Sequence, residues 1–182
     1  IEEEVTEFKL SGNHTAFWIP GDYDTNEYPY TKSRLSEVDA VAKSEQHQEI
    51  ATRTPIGKNY VQTPLMLKTD GGLYINIHEA ALMNYSAMQL RVDAATNTLT
   101  AALVPDAVGN KVYMNTPCVT PWRTIVVSDK ATNILASKLI LNLNAPSVIE
   151  DVSWIKPVKY IGIWWDMHVG TATWNYSDEN NI

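Results

Sequence analysis

The chain reads as a mainly β protein, with a β-sandwich over residues 1 to about 145, on three observations. Runs rich in β-branched and aromatic residues recur every ~10–15 residues, the rhythm of short sandwich strands. Between two such runs stands Asp70-Gly71-Gly72, a tight hairpin turn, because glycine accepts positive φ freely. Helical spacing behind a capping residue is clear in one short stretch alone, Ala131 to Leu135.

In chain order, Glu7-Phe-Lys-Leu10 is a short strand candidate. Ser11 to Ser33 holds Trp18, Tyr23, Tyr28 and Tyr30 among Pro20, Gly21, Asp22, Asp24 and Pro29. Turn formers at that density oppose regular structure. A long aromatic loop is expected there, either packed over the sheet or part of a binding surface. Arg34 to Glu49 is polar, with weak apolar spacing at Val38, Val41 and Ala42, and suits a short helix or a solvated edge.

After the Pro55-Ile-Gly57 turn, Tyr60 to Thr69 is one extended run, and Asp70-Gly-Gly72 leads into the strand from Leu73. A second hairpin joins Tyr85–Val92 to Leu99–Val104 through the polar turn Asp93–Thr98, with Met88, Leu90 and Val92 on one face and Gln89 and Arg91 on the other. Pro105–Asn110 is another turn. Thr120–Val127 is a strand in which Arg123 should pair with a neighbouring acid or with sandwich carbonyls. Ser128 or Asp129 can cap the short helix, and Leu139–Asn144 returns to extended chain.

Pro146 to Lys156 reads as a connector, and Glu150-Asp151, like Glu2-Glu-Glu4 and Asp22/Asp24, as solvated loop charge. Lys159 to Trp165 is a nearly continuous apolar run, the pattern of a strand buried on both faces in a parallel sheet. Asp166-Met-His168 follows it. Polar groups past the C-terminal end of such a strand are where barrel enzymes keep their active sites. Exposed loop residues are the other reading of Asp166 and His168.

A formal net charge of −7 argues against nucleic acid or an anionic membrane surface as the main partner. No run approaches the ~18 apolar residues of a membrane helix. Cys118 is alone, so no internal disulfide forms within these residues, and the compartment stays open. Six Trp and nine Tyr against two Phe suit wet binding surfaces as well as cores. The chain begins at Ile1 without an initiating Met or signal peptide and ends in Asp178-Glu-Asn-Asn-Ile182, so it is expected to be part of something longer.

The stretch that matters most runs from Gly72 to Leu82. Leu73, Ile75, Ile77 and Glu79 share one strand face and Tyr74, Asn76, His78 and Ala80 the other. A carboxylate thus ends an otherwise apolar row, and it must meet solvent, a cation, a donor cluster or a shifted pKa. Either the strand runs out into water at that point, or Glu79 is a ligand or active-site acid projected from the rim of a sheet.

Three blocks in register carry a resemblance: Leu73-Tyr-Ile-Asn-Ile-His-Glu-Ala-Ala-Leu82; Thr120-Pro-Trp-Arg-Thr-Ile125 leading to Leu139-Ile-Leu-Asn-Leu-Asn144; and Trp154-Ile-Lys-Pro-Val-Lys-Tyr-Ile-Gly-Ile-Trp-Trp-Asp-Met-His168. Together they resemble glycoside hydrolase family 97, the α-glucosidases and α-galactosidases of Bacteroides-type gut bacteria. The resemblance implies part of an N-terminal β-super-sandwich over residues 1–145, a linker at 146–158 and the first strand of a truncated catalytic (β/α)8 barrel at 159–182.

It further implies a calcium ion near the scissile bond, held largely by glutamates, with the ligand from this domain falling on Glu79. Asp166, His168 and Trp165 become substrate-binding candidates at the sugar-facing end of the first barrel strand. The two catalytic carboxyls that glycoside hydrolysis needs would lie on later strands outside this chain, which alone should be inactive and bind calcium weakly. The expected partners are an α-linked oligosaccharide and the remainder of the barrel, with no nucleic acid or membrane, in a periplasmic or secreted setting. The rival reading is a non-catalytic carbohydrate-binding or structural sandwich, gripping glycans with the aromatic loop between Phe17 and Tyr30.

Overall fold

Short runs that alternate buried and exposed side chains assemble here into two antiparallel sheets. The computed structural model describes residues 1–21, 28–47, 55–104 and 112–159. One sheet holds β1 (Glu7–Lys9), β8 (Thr98–Leu103), β7 (Met88–Asp93) and β4 (Tyr60–Gln62), in that order. The other holds β3 (Thr31–Arg34), β2 (Thr15–Trp18), β5 (Leu65–Lys68), β6 (Tyr74–Ala80) and β9 (Trp122–Ser128). The mainly β expectation is borne out. Between the sheets lie Leu65, Leu67 and Ile77 from one and Met88, Leu90 and Leu99 from the other, all at 0 % exposure. Each such side chain contributes about 1.5–3 kcal/mol by leaving water.

The hairpins fall where the glycine and polar-turn signals put them. β5 and β6 pair with Leu67 opposite Ile75, and Gly72 takes φ 89° in the turn between them. β7 and β8 pair with Leu90 opposite Ala101. The segment after Arg34 is helical: a 3-10 turn at Leu35–Glu37, then α1 (Ala40–Glu45), capped by the Asp39 carboxylate accepting from the Ala42 N–H at 3.0 Å.

Three expectations need correction. The supposed loop from Ser11 to Ser33 contains β2 and β3. Its turn formers gather between the two strands, while β2 is seated between β3 and β5 with Ala16 opposite Leu67. Sheet pairing therefore decides its conformation over local composition. The single run Tyr60–Thr69 is two strands in opposite sheets, because Pro64 has no N–H to continue a ladder. On the face that Gln89 shares with exposed Arg91, Gln89 is itself fully buried, where Gly21 packs so closely that a Cβ there would lie 2.9 Å from Gln89 Oε1.

Leu139–Asn144, read as extended, forms α3 (Leu139–Leu143). Leu139, Ile140 and Leu143 make its half-buried side, at i, i+1 and i+4. The neighbouring helix α2 (Ala131–Leu135) is as read, but its N-cap position is Lys130, whose amide donates to Ser128 Oγ at 3.2 Å.

One side of the sandwich is closed by backbone. Pro20 bridges Val61, the Gly21 N–H donates to Tyr60 O at 2.9 Å, and the Gln62 N–H donates to Ile19 O at 3.2 Å. The prolongation of β2 thereby joins β4 of the other sheet.

By its contacts the chain divides into two units, Ile1–Pro146 and Ser147–Ile182. In the second, the described residues 147–159 carry no helix or strand; Glu150 and Asp151 are exposed there, and the Trp154 indole N–H donates to Asp151 O at 3.1 Å. The barrel strand expected through Trp165, together with Asp166 and His168, lies outside the described residues, as do Tyr23, Asp22, Asp24 and the Pro105–Asn110 turn.

Candidate functional site

Glu79 is the sixth residue of β6, and the ladder sets Arg123 of β9 directly opposite it. Residues paired in this way project to the same face. Arg123 Nη1 donates to Glu79 Oε2 at 2.7 Å. The same guanidinium turns its other side to Glu4, with Nε donating to Oε1 at 2.8 Å and Nη2 to Oε2 at 2.5 Å. The three side chains are 9 %, 9 % and 15 % exposed for Arg123, Glu79 and Glu4. The Tyr85 ring lies over the cation, its centroid 5.9 Å from Cζ.

The strand exit fixes the rest of the geometry. Ala81 turns out of β6 at φ 55°, a left-handed conformation that costs a non-glycine residue about 1–2 kcal/mol. Asn144 at the end of α3 offsets part of this, since its Oδ1 accepts the Ala81 N–H at 2.9 Å. The chain then crosses to the other sheet, and the Met88 N–H at the start of β7 donates to Glu79 Oε1 at 3.0 Å and Oε2 at 3.2 Å. Glu79 at 8 % exposure therefore does not run out into water; it meets a donor cluster. Its bonds span the two sheets.

Glu4 corrects a sequence expectation. Read as solvated charge, it is instead half-buried and bound on both oxygens, with Thr6 Oγ1 also donating to Oε1 at 2.9 Å. The reason lies in β1, whose lead-in is held along β8 by the Ala101 N–H donating to Thr6 O at 2.8 Å. The expectation that Arg123 pairs with an acid holds, with two acids in place of one.

The hydrogen bond from Arg123 holds the Glu4 carboxyl below its ordinary value of 4.5, burial opposing it and the Thr6 hydroxyl adding to it. A depressed folded-state pKa means that the contribution is complete above the unfolded value and is lost as pH falls through the folded one. Denaturant titrations from pH 6 to about 3 are therefore expected to show stability falling below about pH 4.5, with Glu4→Gln flattening part of that fall. The Tyr85 phenol is pushed up, first by burial and then by the Glu4 charge.

Calcium prefers about 6–8 oxygen ligands. Among the described residues no group of three or more His, Cys, Asp or Glu could hold a metal ion. A carboxylate has about four lone-pair sites, and the Met88 amide and Arg123 leave an acceptor direction open on Glu79 Oε1. The described residues therefore have at most that one oxygen to offer a metal ion, on a nearly buried carboxylate already bound to a guanidinium.

A two-sheet antiparallel sandwich with an acid–guanidinium–acid cluster at the end of a central strand is the class that this geometry defines. The family model described as the N-terminal domain of glycosyl hydrolase 97 matches residues 1–146. The chain belongs to glycoside hydrolase family 97. It is 29 % identical over 121 residues to a retaining α-galactosidase of Bacteroides thetaiotaomicron, covering 57 % of this chain and 18 % of that protein. It also resembles a family 97 enzyme of Pseudoalteromonas sp. strain K8. The complex of that enzyme with acarbose matches at 36 % identity and TM-score 0.66, over 96 % of this chain and 24 % of the enzyme. A variant complex with panose matches at 38 % identity and TM-score 0.66, with the same coverage. The chain spans about a fifth to a quarter of the length of these relatives.

Proposed function

We propose that the chain supplies the N-terminal sandwich of a calcium-dependent hydrolase of α-glucosides or α-galactosides, with Glu79 lending one oxygen to the ion. Family membership supports the hydrolase class, and the relatives' names, a retaining α-galactosidase and an enzyme complexed with acarbose or panose, support α-linked oligosaccharides. The observation that carries the ligand role is the buried Glu79 carboxylate, fixed by Arg123 and the Met88 amide yet with Oε1 not fully used.

When bound, calcium supplies Lewis-acid polarisation next to the glycosidic oxygen. The part of this chain is to hold the Glu79 oxygens in place and dry. Residues 159–182 open the catalytic barrel in this reading, with Trp165, Asp166 and His168 facing the sugar. The catalytic carboxyls come from elsewhere, the present residues alone are inactive, and the enzyme works in the periplasm or outside the cell. For the rival glycan-gripping loop, Trp18 and Tyr28 are 2 % and 5 % exposed and offer no free ring face, which leaves Tyr30, 62 % exposed, as its open ring among the described residues.

In the intact enzyme, Glu79→Gln is expected to weaken calcium binding at least about tenfold, to lower kcat/KM with it, and to lower the melting temperature in chelator as well, because an amide whose oxygen still accepts from Arg123 turns its NH2 toward the Met88 N–H. Calorimetric titration of calcium into chelator-stripped enzyme checks this; parental affinity would remove Glu79 from the metal shell.

A further inference from the structure

We infer that the far edge of β9 is a strand-addition surface, taken in the intact enzyme by an apolar strand of the same polypeptide from outside residues 1–182. The inference is independent of the role given to Glu79.

The β6–β9 ladder sets Ile125 opposite Ile77 and Val127 opposite Ile75. Paired residues project to the same face. Both therefore point the way of the core, where Ile77 is at 0 % exposure and Ile75 packs against it. Yet Ile125 and Val127 are 51 % and 54 % exposed. The apolar floor of the sandwich runs one strand further than its cover. On the other face of β9, Trp122 is 56 % exposed as well.

The backbone of β9 is open in the same direction. Alternate residues of an edge strand turn their N–H and C=O groups away from their single neighbour, a template for a further strand. Proteins close such edges with charge, proline, bulges or shortness. Three of the four sheet edges among the described residues are closed in these ways. β3 carries Lys32 and Arg34, and β1 carries Glu7 and Lys9 within three residues. β4 is three residues long and already bonded to the prolongation of β2. β9 has no such guard. Its seven residues pair with β6 in unbroken register, without proline, and its one charged side chain, Arg123, is turned to Glu79 and Glu4.

The occupant follows from the size of the relatives, of which this chain spans about a fifth to a quarter. A strand tethered to the same chain meets the edge at an effective concentration of up to about millimolar, far above that of a second enzyme molecule. Its alternate apolar side chains would flank Ile125 and Val127 and complete the floor.

Amide hydrogen exchange of the intact enzyme, read by mass spectrometry over Trp122–Ser128, tests the edge without any substitution. The outward amides are expected to exchange as slowly as those bonded to β6; exchange of about half of them within seconds would overturn the inference. Ile125→Cys and Val127→Cys, in an enzyme otherwise free of cysteine, test the face. Maleimide is expected to label them at least about tenfold more slowly than Tyr30→Cys, and labelling at the Tyr30→Cys rate would also overturn it. Light scattering over a dilution series completes the test. A monomer with both protections intact supports the tethered strand, and protection that is lost as a dimer dissociates assigns the edge to a second copy and removes it.

Discussion

Arg123→Met is expected to destabilise the sandwich by about 3–5 kcal/mol at pH 7, the cost of stripping a buried ion cluster of the one cation that reaches it among the described residues. Two carboxylates, 15 % and 9 % exposed, then face one another across the vacated guanidinium. At Glu4 the burial that Arg123 had outweighed is then left to push the carboxyl up, and the repulsion from a second buried carboxylate acts the same way. The sign of the acid response should accordingly reverse. The parent loses stability as pH falls, because the Glu4 pKa is depressed. The variant regains part of its own as pH falls toward 5, because protonation removes the repulsion. Urea denaturation at pH 7 and pH 5 checks both statements, and adding Glu4→Gln to Arg123→Met should recover part of the loss at pH 7. A loss below about 1 kcal/mol would mean that the cluster behaves as a surface ion pair.

Trp18→Ala is expected to cost a similar amount, about 3–5 kcal/mol. The ring is 2 % exposed in β2, and its indole N–H donates to Ser33 Oγ on β3 at 2.9 Å. Truncation empties a large volume next to the closed side of the sandwich and leaves the Ser33 hydroxyl one partner short. Trp18→Phe keeps most of the apolar volume and should cost markedly less. Tyr30, 62 % exposed in the same stretch, should tolerate alanine within about 0.5 kcal/mol. Chemical denaturation of the three variants settles whether these aromatics belong to the core. An unchanged midpoint in Trp18→Ala would return the segment to the status of a binding loop.

The comparison of Trp18 with Tyr30 also shows where the sequence is readable. Period-2 alternation identifies β6, β7, β8 and β9, and the glycine turn identifies the β5–β6 hairpin, because each is a local consequence of chain geometry. β2 and β3 escape detection because they are short strands among prolines and glycines, and their conformation is imposed by partners such as Leu67. α3 escapes because Leu-Ile-Leu-Asn-Leu is too short for its period to separate helix from strand.

At the site, the oddity of Glu79 is visible as a charged residue ending an apolar row. Its partners are not. Arg123 lies 44 residues away and Glu4 a further 75 from Glu79, and only the strand order brings the three together. No local signal distinguishes Glu4 from Glu2 or Glu3.

That strand order gives the two long sides of the sandwich unlike seams. Along β2 and β4 the layers are sewn by main-chain bonds at Pro20, Gly21 and Gln62; along β1 and β9 they are clasped by Glu4 reaching across to Arg123. Added salt should therefore weaken the second seam and leave the first nearly untouched. Because Arg123 serves both acids, whatever loosens that ionic seam also loosens the hold on Glu79.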